Sequence, residues 1–295
     1  MRSIREGADQ AATLRRITRP SPVKVVAVTG GKGGVGKTNI SVNLAIAMAE
    51  LGREGMLLDA DLGLANVDVL LGLQPRYNLA QVLEGLCHLE DAIIAGPRGV
   101  QVVPAASGTQ RMARLSAAEH AGLIHAFGEL YHRIDVMLVD TAAGISDSVI
   151  TFTMASQQVM VVVCDEPAAI TDAYALIKVL SRDHGLRRFH IVANMVRSEG
   201  EGLALFEKLS RVAQRFLDVS LSFMGSVPYD DYLRRAVQVQ RPVLDIYPAS
   251  RSARAFKKLA TRADRWAMPD GARGHVEFFV ERLLGYPAAE SDALQ

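Results

Sequence analysis

The chain has 295 residues, 49% of them hydrophobic, 22% charged, and a net charge of +1. That is enough apolar material for one large domain or two small ones, and so even a balance gives no general attraction to nucleic acid. Cys87 and Cys164 lie far apart and outside any C-x-x-C pair, which argues against a disulfide framework or a cysteine-held cluster and for the reduced thiols of a cytosolic protein. The longest apolar stretch, residues 159–164, is strand-sized against the roughly 20 residues a spanning helix needs, and the N-terminus has no apolar signal segment.

In chain order, the first twenty residues hold five arginines and end at Pro20. Gln10, Leu14 and Ile17 recur there at helical spacing, beside Arg15 and Arg16. An apolar strand over 23–29 then feeds Gly31-Lys32-Gly33-Gly34-Val35-Gly36-Lys37-Thr38, followed by a helix-compatible run from Asn39. Strand, G-x-x-x-x-G-K-[ST] and helix together form a phosphate-binding loop. Its backbone N–H groups cradle phosphates, Lys37 reaches the β and γ oxygens, and the Thr38 hydroxyl ligates Mg²⁺. A nucleotide such as ATP or ADP with Mg²⁺ is the expected ligand.

Further β-branched runs at 55–59, 100–104, 136–140, 158–164, 188–194 and 221–227 alternate with helix-compatible segments. That alternation predicts an α/β fold, a doubly wound and mostly parallel sheet with helices on both faces and the ligand at the strand C-terminal ends. Polar residues at those ends are therefore the candidates. Asp59 and Asp61 follow the second strand. Asp140 closes an apolar strand in the manner of a carboxylate that holds Mg²⁺ through water, and Gly144 follows where a backbone N–H can meet a γ-phosphate. Asn194, Pro228 and Asp230 end two later strands. On 251–265, Arg251, Arg254, Lys258, Arg262 and Arg265 share one helical face, opposite an ordinary apolar one. Val276, Phe279, Val280 and Leu283 share a face near the C-terminus, suited either to a membrane surface or to a groove on the protein itself. The expected organisation is an extension over 1–21, a nucleotide-binding domain over 22–267 and a tail over 268–295.

The loop Gly31-Lys32-Gly33-Gly34-Val35-Gly36-Lys37-Thr38 resembles the deviant phosphate loop of the MinD/ParA group of dimeric ATPases. The resemblance implies that Lys32 crosses a dimer interface to the partner's nucleotide. Asp59-Ala60-Asp61-Leu62-Gly63-Leu64-Ala65-Asn66-Val67-Asp68 resembles that group's first switch segment, which implies Asp61 as the catalytic carboxylate and Asp59 as support for the loop or the metal shell. Asp140-Thr141-Ala142-Ala143-Gly144 resembles the second switch. Asn194 resembles the adenine-reading asparagine, and Pro228 and Asp230 resemble the second base-pocket loop.

Asp9-Gln10-Ala11-Ala12-Thr13-Leu14-Arg15-Arg16 and Asp165-Glu166-Pro167-Ala168-Ala169-Ile170-Thr171-Asp172-Ala173-Tyr174 resemble two elements of the FlhG/FleN flagellar branch. That likeness implies an ATP-dependent homodimer that sets flagellar number and placement. It implies action through the GTPase FlhF (with Asp9, Gln10, Leu14 and Arg15 as contacts), flagellar switch components and a FleQ-type AAA+ activator, and peripheral binding to the inner membrane. Direct specific DNA binding is not expected. The competing expectations are a ParA-like DNA- or cargo-positioning ATPase, which the basic 251–265 face keeps open, and a MinD-like division-site ATPase.

Overall fold

The computed structural model describes residues 22–106, 112–130, 133–267 and 275–284. Eight strands form one sheet in the order β3-β4-β2-β5-β1-β6-β7-β8: β1 (Lys24–Gly30), β2 (Gly55–Ala60), β3 (Ile94–Ala95), β4 (Gln101–Val103), β5 (Val136–Ala143), β6 (Gln158–Val163), β7 (Arg188–Val196) and β8 (Ser220–Pro228). All pairings are parallel except β3 with β4. The seven strands expected from sequence are all present. The eighth, β3, was missed: it is two residues long and antiparallel, too short to leave a period-two pattern.

Strand alternation builds two cores. Val26, Val28, Leu57 and Leu138 face one apolar cluster, shared with the helix after the phosphate loop, α1 (Lys37–Glu50). Val25, Met56, Leu58, Met137 and Val139 face the other. Both faces of the central strands are dry, as a covered parallel sheet requires, and this explains their unbroken Val-rich sequences.

The second core has an unexpected member. The helix α5 (Ala117–Gly128) and the helix that follows β5, α6 (Asp147–Met154), receive Phe278 and Phe279, which are 0% and 1% exposed. The Phe278 ring stands edge-on to Phe127 at 5.2 Å and lies parallel to Phe152 at 6.2 Å, and the Phe278 N–H donates to the Ala155 carbonyl at 3.1 Å. Arg282 lies over the Phe279 ring at 4.9 Å and donates to the Leu130 carbonyl. Of the two alternatives for the face at Val276, Phe279, Val280 and Leu283, a groove on the protein itself is the one that Phe279 takes here. Phe279 points into the protein, Val280 is half-buried, and Val276 alone is exposed at 49%; the Leu283 side chain lies outside the described residues. Residues 275–284 are not one amphipathic helix, since only Val280–Leu284 is helical. The fold takes two adjacent aromatics into its core, where burial of each ring is worth about 2–3 kcal/mol.

Candidate functional site

β1 runs between β5 and β6 in the middle of the sheet and delivers the phosphate loop at its C-terminal end. The loop packs so closely that two glycines are obligatory. A Cβ at Gly31 would sit 2.1 Å from the Asp172 carbonyl, on the helix α7 (Pro167–Arg182). Gly36 has φ +92, and a Cβ there would sit 2.2 Å from Asn194 Nδ2. Above Gly33 and Gly34 nothing lies within 4 Å of a Cβ, so that side of the loop is open. α1 begins at Lys37 with Gly36 as its cap residue, and no side chain caps its first amides. Those amides and the helix dipole are left for an anion.

Lys37 is 8% exposed, and burial holds its pKa below the usual lysine value against the opposing charges of Asp140 and Asp61. A buried ammonium is costly without a counterion, and a phosphate would supply one. Asp140 accepts a hydrogen bond from Ser41 Oγ at 2.8 Å and lies beside the Thr38 hydroxyl. Its carboxyl is pushed up to about 6 by burial, opposed by the two hydroxyls and Lys37. Thr38 and Asp140 sit together as the ligands of a hydrated Mg²⁺ bound to nucleotide phosphates would, so the residues fit Mg²⁺–nucleotide. Such a complex supplies charge to neutralise the phosphates, and the chain supplies the cradle.

The register pairs Asp59 of β2 directly with Asp140 of β5. Asp59 is nevertheless a different kind of group. Its Oδ1 accepts from the Asp61 N–H at 3.1 Å and its Oδ2 from the Asn66 and Val67 N–H groups at 2.9 and 3.0 Å. Burial and the Asp140 charge push it up to about 8 in spite of those contacts. Both oxygens are engaged in shaping the loop, which takes Asp59 away from direct metal ligation and toward the loop-holding alternative. Asp61 accepts from the Leu64 N–H at 3.1 Å and, unlike Asp59 and Asp140, is only half-buried. Of these three carboxylates it is the one that solvent reaches.

Other expected residues are placed differently. The Gly144 N–H, in a glycine at φ +94, donates to the Gly30 carbonyl at 3.1 Å rather than standing open to a γ-phosphate. Lys32 forms an ion pair with Glu166 of the same chain at 2.6 Å. That contact raises its pKa. Asn194 is 3% exposed and its Nδ2 donates to the Val35 carbonyl at 2.7 Å, so it pins the phosphate loop. Asp230 caps the helix α9 (Asp231–Gln238) through the Tyr232 N–H and accepts from the N–H and hydroxyl of Ser252, contacts that outweigh its partial burial and hold its pKa down. Both Asp230 oxygens are engaged by the protein. Pro228 is half-buried beside Val196. Asp9, Gln10, Leu14 and Arg15 lie outside the described residues.

Three residues at the site were not singled out from sequence. Ser41, one turn into α1, braces Asp140. Glu166 holds Lys32 and stands in the quoted Asp165-Glu166-Pro167 segment, so a signal was present. Met195 adopts φ +58 and is 47% exposed next to Asn194 and Gly36. Nothing in a lone methionine announces a left-handed backbone.

Residues 22–263 match a ParA family model described as NUBPL iron-transfer P-loop NTPase. Antiactivator FleN of Pseudomonas aeruginosa is 60% identical over 278 residues, spanning 94% of this chain and 99% of that protein. The chain belongs to the FlhG/FleN branch of the MinD/ParA P-loop NTPases. The flagellum site-determining protein YlxH of Helicobacter pylori is 33% identical over 268 residues, 89% of this chain and 90% of that one. The septum site-determining protein MinD of Pyrococcus horikoshii, complexed with Mg-ADP, superposes with a TM-score of 0.69 at 27% identity, covering 83% of this chain and 97% of that structure. A Mg²⁺–nucleotide ligand at the phosphate loop agrees with that complex. Among the described residues no group of three or more His, Cys, Asp and Glu could hold a metal by itself. No helix among them is long and apolar enough to cross a membrane.

Proposed function

We propose that this FlhG/FleN-branch NTPase is an ATP-driven switch that restrains a FleQ-type AAA+ flagellar activator and works with the GTPase FlhF to limit flagellar number and place the organelle. The observation that carries this reading is the 60% identity to an antiactivator over nearly the full length of both chains. The site supports the switch half of the proposal. Lys32, next to the open Gly33 and Gly34, is tied through an exposed ion pair, an interaction worth little in water and easily exchanged for a phosphate. In the proposed cycle, ATP and Mg²⁺ join two protomers with each Lys32 reaching the other's nucleotide. Asp61, within reach of solvent, orients the attacking water, and hydrolysis separates the pair. Exchange of the Gly144 N–H from Gly30 to the γ-phosphate would move α6 with the nucleotide state. Since Phe152 of that helix packs on Phe278, the same movement would loosen residues 275–284 for peripheral membrane contact.

The test is binding of a purified FleQ-type activator to wild type, Asp61→Ala and Lys37→Ala chains with ATP or ADP. Tight binding confined to the ATP state, persistent in Asp61→Ala and absent in Lys37→Ala, is expected. Binding that ignores the nucleotide contradicts the switch.

A further inference from the structure

A cavity of about 260 Å³ lies along the free edge of the sheet, between β8 and the helix α11 (Arg251–Asp264), and is closed at one end by the start of the helix α8 (Glu199–Phe216). Two strands, β6 and β7, separate β8 from the strand that carries the phosphate loop. Arg251, Arg254, Lys258 and Arg262 all line the cavity, against a single carboxylate, Glu199. Nearby, Lys257 pairs with Glu50 at 2.9 Å, and Arg53 pairs with Asp264 at 2.8 Å. Among the described residues the four cavity cations form no such ion pair, although the Asp230 charge acts on Arg251 from outside the lining.

The two outer cations are fixed by backbone. Arg251 donates to the Arg197 carbonyl at 3.1 Å and Arg262 to that of Met224. Gly225, at φ +137 beside an irregularity in β8, makes room for the latter, because a Cβ there would lie 3.2 Å from the Arg262 guanidinium. Between them, Arg254 and Lys258 are exposed and in no ion pair among the described residues. They stand one turn apart, about 6 Å along the axis. The positive end of the eighteen-residue α8 adds to the same field. Four like charges in one concavity repel one another unless an anion enters, and arginine fits phosphate with paired hydrogen bonds.

We propose that this cavity is a second anion site, which takes a small ligand carrying two linked phosphate groups. Its volume falls just below the roughly 300–1,000 Å³ of drug-sized sites, which suits a compact diphosphate rather than a nucleic-acid duplex. Arg254 and Lys258 grip the two phosphates, and Arg251 and Arg262 set the walls.

The experiment is calorimetric titration of inorganic pyrophosphate into full-length chain already saturated with Mg-ADP, so that the phosphate loop is filled. A retained fluorescent ADP analogue checks that it stays filled. One pyrophosphate per chain is expected in wild type, weakened at least about tenfold in Arg254→Gln/Lys258→Gln. ADP affinity and melting temperature should be unchanged in that variant, whose two positions are exposed. No binding to ADP-loaded wild type, or equal binding by both proteins, overturns the site. So does binding of a fluorescent 20-base-pair duplex that the double variant abolishes and pyrophosphate does not compete for, since the cations would then form a nucleic-acid face.

Discussion

The phosphate-loop end of the sheet and the C-terminal strap at residues 275–284 are both built from residues with a marked pattern, yet they behave oppositely. At the loop, polar groups sit at strand ends because the ligand chemistry demands it, and most are restrained by neighbours: Asp140 by Ser41, Asn194 by the Val35 carbonyl, Asp59 by three backbone amides. In the strap, Phe278 and Phe279 are held chiefly by burial, with the Ala155 carbonyl fixing the register. Hydrogen bonds have direction and leave readable spacings. The hydrophobic effect has none, so an apolar face says that something covers it without saying what.

The strap gives the largest expected effect. Phe278→Ala empties a pocket between Phe127 and Phe152 and should lower stability by about 3–5 kcal/mol in urea unfolding. An unchanged midpoint would mean that residues 275–284 are a loose tail, and the contrast between the regions would collapse. Lys37→Ala removes the buried cation of the loop and should weaken Mg-ADP binding by about a hundredfold or more in calorimetry, with the fold retained.

The two register-paired carboxylates sharpen the comparison within the site. Asp59→Asn leaves part of its amide set without an acceptor and should cost about 1–3 kcal/mol, with faster hydrogen exchange at Asn66 and Val67. Asp140→Asn should instead raise the Mg²⁺ concentration needed for tight nucleotide binding and leave those amides protected.

A smaller effect is tied to pH. His190 stacks on Trp266 at 3.9 Å, accepts at Nδ1 from Ser222 and donates at Nε2 to Gln158 in its neutral form. Burial lowers its pKa to about 4, below the ordinary 6.5. The folded state therefore takes up its proton later than the unfolded chain, so stability is full above pH 6.5 and falls as pH drops toward 4. His190→Gln should flatten the melting temperature over that window, and an unaltered slope would assign the acid sensitivity elsewhere. Least of all should Glu166→Gln affect stability, since the ion pair with Lys32 is exposed; an unchanged melting temperature is the expected result.

The parallel sheet, the phosphate loop and the three carboxylates were legible because each joins an apolar strand to a polar terminus at fixed spacing. What stayed hidden depends on contacts across the chain. Asn194 and Asp230 have the right residue types at the right strand ends, and only the fold shows the Asn194 amide nitrogen engaged by Val35 and both Asp230 oxygens by Tyr232 and Ser252. The four cavity-lining cations were visible as a helical stripe, but the concavity facing them comes from a bulged edge strand with no sequence period.

The proposed switch rests on whether Lys32 can leave Glu166 for a second protomer's nucleotide. Light-scattering mass of Asp61→Ala with ADP and with ATP and Mg²⁺, alone and combined with Lys32→Ala, measures that directly. A monomer with ADP that doubles in mass with ATP, and fails to double once Lys32 is removed, is the predicted result. A mass that stays the same in ATP, or a dimer that persists without Lys32, would contradict it.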